Sequence, residues 1–468
     1  MLFDSPVYFL FLILITAIYW KLGFRAQNRL LLAGSYFFYG WWDWRFLFLM
    51  AGSTIIDYLI GSAIASSQDQ RKRRMLLTAS LVLNFGVLAY FKYLGFFIHT
   101  TERLFPSLAA HQLTHTLLMI VLPPAISFYT FQEVAYIVDV YQGKVEPARS
   151  LEEYALFISL FPHLIAGPIQ RPSHLLGQVQ KPRVFDSTKF FHGCMLIVSG
   201  ILRKCVIADN CATIANAAFA GKLGHGWLPH LLGIYAFAFQ IYGDFAGYSD
   251  IARGSAQLLG FHFMVNFRQP YFSTSLQEFW RRWHISLSTW LRDYLYIPLG
   301  GSRHGEFNTY RNLFLTMLLG GLWHGANWTF VIWGMLHGIG LGLERFFGGA
   351  TADSAAARRF QPVRALLVFH FVCLGWIFFR ATSLHDAMHY LRGFTQSSDL
   401  HQAIHFIPAL LAFVVLCLAI DTFMERSGTE YFLQRFSPRI QTAGAAAVLL
   451  LAAFAATGQA SPFLYFQF

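Results

Sequence analysis

Leu313-Phe-Leu-Thr-Met-Leu-Leu-Gly-Gly-Leu-Trp-His324-Gly-Ala-Asn-Trp-Thr-Phe-Val-Ile-Trp333 is apolar on both sides of one histidine. A run of this length and composition belongs in a bilayer. An ionisable side chain at bilayer depth costs several kcal/mol and by default marks a functional site. Gly320-Gly321 before His324 and Gly325-Ala326 after it let neighbouring helices approach closely, so the imidazole belongs at a packed helix junction or beside a narrow channel. A histidine simply bonded across a helix interface is the plainer alternative.

Composition extends this reading to the whole chain. The 468 residues are 56% hydrophobic, 18% aromatic and only 13% charged, where soluble proteins carry about 25% charged residues. That excludes a soluble enzyme with one anchor and predicts a single all-α, polytopic membrane domain over residues 1–468, with its motif-bearing core at about residues 150–347. Met1-Leu-Phe-Asp-Ser-Pro lacks the basic start of a cleavable signal peptide. The net charge of +11 is spread between apolar runs, which argues for topology and against a nucleic-acid arm. Five scattered cysteines lack CxxC spacing, so they read as buried small apolar groups.

Apolar runs fall at 6–22, 29–46, 48–66, 75–99, 114–141, 151–168, 190–219, 227–260, 308–322, 326–347, 364–380, 404–424 and 440–457, which gives about 11–13 spans. Residues 262–305 mix short apolar pieces with aromatics and charges, the pattern of re-entrant or interfacial helices. Lys21, Arg25 and Arg29, then Arg71–Arg74, then Lys144 and Arg149 mark the odd-numbered loops. Those loops are expected in the cytoplasm and the N-terminus in the periplasm. Gly348–Pro362 reads as an inter-helix loop.

A second histidine lies in Phe279-Trp-Arg-Arg-Trp-His284-Ile-Ser-Leu-Ser-Thr-Trp-Leu-Arg292-Asp293. On a continuous helix, residues about four apart share a face, which would align Arg281, His284, Ser288 and Arg292 between Trp280, Trp283 and Trp290. Two guanidinium groups and a hydroxyl suit a phosphate-bearing ligand with a planar base; an interfacial helix with snorkelling arginines is the other reading. Asn327 could orient His324. Asp244 and Asp250 are about 240° apart round a helix, so they read as a buried polar scaffold, with Asp250 and Arg253 neutralising one another. His337 lies about 220° from His324 if the helix continues, so it is expected to point elsewhere. His163, before the helix-breaking Pro168, reads as structural. His385-Asp-Ala-Met-His389 has the spacing of a zinc helix without its glutamate or a third ligand, and no metal is expected. No phosphate-binding loop, serine-hydrolase elbow or dinucleotide motif is present.

The run from Phe267 to Gly338, with Glu278-Phe-Trp-Arg-Arg-Trp-His and Gly320-Gly-Leu-Trp-His-Gly-Ala-Asn-Trp at its centre, resembles the membrane-bound O-acyltransferase family. Asp244-Phe-Ala-Gly-Tyr-Ser-Asp250, Phe161-Pro-His-Leu-Ile-Ala-Gly-Pro168 and Gly40-Trp-Trp42 point to its bacterial polysaccharide O-acetylation branch. The resemblance implies a ring of tilted helices around a funnel, with His324 as the family's histidine and His284 as its second polar position. It implies cytoplasmic acetyl-CoA as donor and no bound cofactor. Arg281, Arg282, Ser288 and Arg292 would hold the donor; Trp323, Asn327, Asp244 and Asp250 would support the site. It implies a place in the bacterial inner membrane among lipid, beside periplasmic acetyltransferase or acetyl-carrier proteins and a polysaccharide synthase complex. The acceptor would be an exopolysaccharide, alginate or cellulose; a cell-wall glycan is the alternative. His324 would act as a base or become acetylated. A transporter would instead need paired intramembrane carboxylates and pseudo-symmetric halves, and a scaffold subunit would leave both histidines structural.

Overall fold

The computed structural model describes residues 1–105, 121–165, 167–348, 361–398, 400–455 and 463–464. The first part of the 114–141 run and most of the Gly348–Pro362 loop lie outside them. Every regular element among the described residues is helical. Among the described residues, six helices are both long and apolar enough to cross a membrane. Several of the other apolar runs form shorter pieces. Residues 151–168 hold a nine-residue helix that stops at Leu160, followed by one turn at Phe161–Leu164, because Pro162 cannot continue the hydrogen-bond ladder of the preceding helix.

Large apolar side chains such as Leu10, Ile13, Phe48, Leu59, Val82, Leu367, Val415, Leu450 and Phe454 are exposed along these helices. Such side chains along spanning helices require a lipid surround. The protein is a multi-pass membrane protein.

The chain forms two compact units, residues 1–194 with 252–264, and residues 195–251 with 265–468. The first contains α1 (Pro6–Tyr19), α2 (Arg45–Ser66), α3 (Gln70–Leu88) and α4 (Ile126–Tyr141). Ser5 accepts from Tyr8 N and Pro6 fills the first turn of α1, the position where a missing N–H costs nothing. Fully buried Asp57 on α2 accepts from Ser80 and Asn84 on α3, and Glu133 on α4 accepts from Ser53 on α2. These hydrogen bonds replace water for carboxyls that the apolar core would otherwise reject. In the same unit, buried His163 lies 3.1 Å from the Gln132 amide.

The second unit carries α5 (Asp209–Phe219), most of the 32-residue α6 (Trp227–Leu258), and two seven-residue helices, α7 (Leu276–Arg282) and α8 (Ile285–Leu291). It continues with α9 (Glu306–His324), α10 (Trp328–Phe346), α11 (Gln361–Arg380) and α12 (Leu384–Gly393). Helices α9 and α10 form a tight antiparallel pair. The reversal comes where Gly325 leaves helical geometry at φ −160° and Asn327 caps α10 by accepting from Thr329 N. At Gly321 a Cβ would overlap the Phe330 carbonyl oxygen and stand 3.0 Å from Gly334 Cα, so the two backbones touch where glycine permits it.

Candidate active site

His324 is the last residue of α9, and its ring is walled by aromatic side chains. Trp323 and Trp333 have ring centroids 5.0 and 5.1 Å away, and Phe379 on α11 lies at 5.4 Å. Trp333 and Phe379 meet it edge-on, the arrangement aromatic quadrupoles favour. His324 is 4% exposed and His284 fully buried. The imidazole of His284 has its centroid 6.2 Å from that of His324. The two histidines, forty residues apart in sequence, lie side by side in one place.

His284 occupies a backbone conformation rare for a side chain larger than hydrogen. Its φ is +42° and ψ +52°, in the left-handed region, which costs of order 1 kcal/mol or more. The surroundings enforce it. Ile285 N donates to the Asn266 carbonyl, and the Asn266 side-chain oxygen accepts from Ser286 N at 3.2 Å and from Ser286 Oγ at 2.9 Å. That same oxygen lies 3.3 Å from His284 Nδ1, and the Asn266 amide donates to Ser249 on α6. Phe245, also on α6, meets the His284 ring edge-on at 4.6 Å. Asn266 therefore determines the imidazole's position.

This left-handed residue breaks the segment into α7 and α8 and corrects the expected stripe. Arg281, His284, Ser288 and Arg292 do not share one helical face. Arg281 is exposed. Arg282 pairs with Glu278 and Glu425. Ser288 donates to the Trp283 carbonyl, and Arg292 pairs with neighbouring Asp293. The i,i+4 argument fails because it assumed a continuous helix through His284.

Asp244 and Asp250 fit the expected polar scaffold, whereas Asn327 and His337 depart from their expected places. Asn327 spends its side chain on the α10 cap and on the Thr382 carbonyl. Asp250 lies 4.0 Å from Arg203. Asp244 pairs with Lys204 at 2.8 Å and accepts from Leu464 N. His337 is closer to the site than its angle implied, because the reversal at Gly325 turns α10 back. It accepts from Trp280 Nε1 at 3.3 Å and lies 4.9 Å from Trp333.

Sequence reading missed Asn266, a lone polar residue in an irregular apolar stretch with no periodic signal. It also missed Arg203 and Lys204, although adjacent cations inside an apolar run are themselves a signal. A π-helical turn at Leu202–Ala208 carries both into the interior. There Arg203 binds Asp421 at 2.7 Å, and Lys204 binds Asp244 and Asp209 at 2.8 Å each. Tyr242 donates to the second Asp421 oxygen. Buried charges survive only when paired in this way.

A buried histidine pair at helix breaks inside a lipid-surrounded helical protein is the candidate active site of an integral-membrane protein. Residues 148–385 match the membrane-bound O-acyltransferase family, and the chain belongs to it. The probable alginate O-acetylase AlgI of Pseudomonas putida is 47% identical, over 83% of this chain and 79% of its own. That of Azotobacter vinelandii is 41% identical across 100% of both chains. The peptidoglycan O-acetyltransferase of Helicobacter pylori is 36% identical over 84% of this chain and 79% of its own. The chain is an acyltransferase.

Proposed function

We propose that the whole chain works as one O-acetyltransferase domain of the bacterial inner membrane, with its N-terminus in the periplasm. It takes acetyl from cytoplasmic acetyl-CoA and delivers it outside for O-acetylation of a secreted exopolysaccharide, alginate before cellulose. The pair of imidazoles 6.2 Å apart in an aromatic chamber is the observation that carries this reading. The alginate names of relatives from several species favour the polymer. Periplasmic acetyl-handling proteins and a polysaccharide synthase complex would work beside it.

The transfer breaks the thioester C–S bond and forms a C–O bond to an acceptor hydroxyl. His324 takes the hydroxyl proton as the oxygen attacks the carbonyl, then passes it to the departing thiolate. With the Asn266 oxygen against its Nδ1, His284 offers Nε2 to the reactants as an acceptor and orients the incoming hydroxyl in a site that excludes water. Exposed Arg281 attracts the anionic donor, with Arg282 and Arg292 adding to the basic surface beside their carboxylate partners. The test is His324→Ala in a strain making an acetylated polymer: polymer acetyl content falls to background while the variant inserts at wild-type levels. Unchanged acetylation would refute it. The relative acting on peptidoglycan favours a cell-wall glycan as the second reading, which acetyl analysis of purified wall and purified exopolymer separates.

A further inference from the structure

Lys181-Pro-Arg-Val-Phe-Asp186 mixes cations with large apolar side chains, and it borders a cavity of about 280 Å³ within the first unit. Gly260 shapes the opposite side. It ends α6 in the left-handed region at φ +81°, and a Cβ there would stand 3.3 Å from both Arg183 Cβ and Trp20 Cη2. Glycine therefore suits the turn on both counts, conformation and close approach. Tyr19 and Trp20 donate to the Leu259 and Leu258 carbonyls, which fixes the end of α1 against the same turn.

One wall of the cavity is cationic. Lys181, Arg183 and Lys189 line it with a single carboxylate among the described lining residues, Asp186. Asp186 accepts from Thr188 N and Lys189 N and lies 3.7 Å from Lys189 Nζ, so it is committed to capping the helix Ser187–Ile201. Arg183 donates to the Asn28 side-chain oxygen at 2.5 Å and stacks over Tyr19, Phe24 and Phe261 at 5.7, 5.2 and 4.8 Å. These neighbours hold the guanidinium in place without neutralising it. A fixed guanidinium flanked by two lysines suits a phosphate.

The other wall is apolar and continues onto the surface. Trp20 and Phe190 line the cavity, and the Phe185 ring packs against them at 5.3 and 5.6 Å. Phe185 is 52% exposed and its neighbour Val184 83%. Large apolar side chains displayed beside cations fit a bilayer interface, where lysine and arginine reach phosphates and aromatic rings sit at headgroup depth. Trp20 immediately precedes Lys21 in the basic loop proposed as cytoplasmic, so the cavity opens towards the inner leaflet, the one rich in anionic lipid. Pockets for drug-sized ligands run from roughly 300 to 1,000 Å³. This cavity can take a phosphate with its glycerol and is too small to enclose a coenzyme A.

We infer that this cavity is a binding site for an anionic phospholipid. The lipid phosphate sits between Lys181, Arg183 and Lys189, and its acyl chains run out past Phe185 and Val184 into the bilayer. One headgroup thereby ties the ends of α1 and α6 and the start of the Ser187–Ile201 helix to the membrane surface. A soluble phosphate ester shares the headgroup's charge but leaves the exposed apolar rim uncovered. Lipid binding here is independent of the acetyl-transfer reading.

The test is native mass spectrometry of the full-length protein in neutral detergent, with three probes: dioleoyl phosphatidylglycerol, dioleoyl phosphatidylcholine and glycerol 3-phosphate. Phosphatidylglycerol should bind about tenfold more tightly than either of the others. Lys181→Gln should weaken it about fivefold, the worth of one basic residue near a lipid surface, and adding Lys189→Gln should weaken it further. Both are exposed side chains, so the variants keep the fold. Lys144→Gln, an exposed charge outside the cavity, should change binding less than twofold. Equal binding of phosphatidylcholine, or indifference to the double lysine variant, would overturn the proposal. So would glycerol 3-phosphate binding as tightly as the lipid, or displacement of the lipid by an equal concentration of acetyl-CoA, since either would assign the cavity to a soluble phosphate ester.

Discussion

Replacing Gly321 by alanine adds one methyl group where α9 and α10 touch. That carbon would overlap the Phe330 carbonyl oxygen and sit 3.0 Å from Gly334 Cα, against ordinary carbon contacts of about 3.5–4.0 Å. Both neighbours are backbone, so no side chain can swing aside, and the helices must part by about 1 Å near this point. Overpacking of this kind costs about 1–3 kcal/mol. The consequence for chemistry is larger. His324 is three residues further along α9 and Trp333 sits on α10 against its ring, so separation moves the base relative to its wall. A 1 Å misplacement can cost about 100-fold in rate. The assay is acetyl transfer from acetyl-CoA by purified protein, alongside a thermal melt. Gly321→Ala should lower the melting temperature and reduce turnover far more than the lost folded fraction explains. Gly342→Ala on the same α10, whose Cβ would meet only Tyr310 Cδ1 at 3.6 Å, should change neither. Wild-type turnover and melting in Gly321→Ala would show that the close helix contact does not position His324.

Asn266→Leu removes the acceptor shared by Ser286 and His284; a cost of about 1–3 kcal/mol is expected, with turnover reduced at least tenfold, read by melting and by kinetics on the same sample. Lys204→Met breaks a buried pair with Asp244 and should cost about 3–5 kcal/mol; the monodisperse yield from detergent should collapse and recover in part when Asp244→Asn is added. Asn327→Ala removes the α10 cap and the tie to Thr382; a loss of about 1 kcal/mol should appear as a modest drop in melting temperature.

The helical membrane character was legible because it depends on composition, which survives any error of detail. His324 was legible because a lone ionisable group in an apolar, glycine-flanked run is costly without a purpose. The partnership of the histidines was not. Periodicity arguments assume an unbroken helix, and both departures fall at His284 and Gly325, where the chain leaves helical geometry. Histidine enters the left-handed region more readily than most residues, but no local signal demands it here; Asn266 holds it there from eighteen residues away. The same limit hid His337, whose i,i+4 neighbour Trp333 reaches the His324 ring only because α10 reverses. Arg203 and Lys204 were hidden differently, since the π-helical turn that directs both inward is a property of the packed helix and not of its sequence.

On the proposed mechanism, these breaks fall where the chemistry needs them. A histidine in mid-helix has its flanking backbone groups satisfied and its ring confined to one stripe of surface. His324 instead ends a nineteen-residue helix, where the last carbonyls point onward without intrahelical partners. The positive charge that forms on its imidazole during proton transfer meets the negative end of the α9 dipole, an interaction of about 0.3–2 kcal/mol. In a chamber of tryptophan and phenylalanine that supplies no counter-charge from water, this term acts only while the charge exists. It therefore stabilises the charge that the proposed proton transfer creates, as catalysis by differential stabilisation requires. A Cβ at Gly325 would overlap the Phe330 ring, so Gly325→Ala must displace that ring or the reversal itself and disturb the helix end where this term acts. Turnover should then fall with the donor's KM unchanged, and a change in KM alone would show that the helix end serves binding instead.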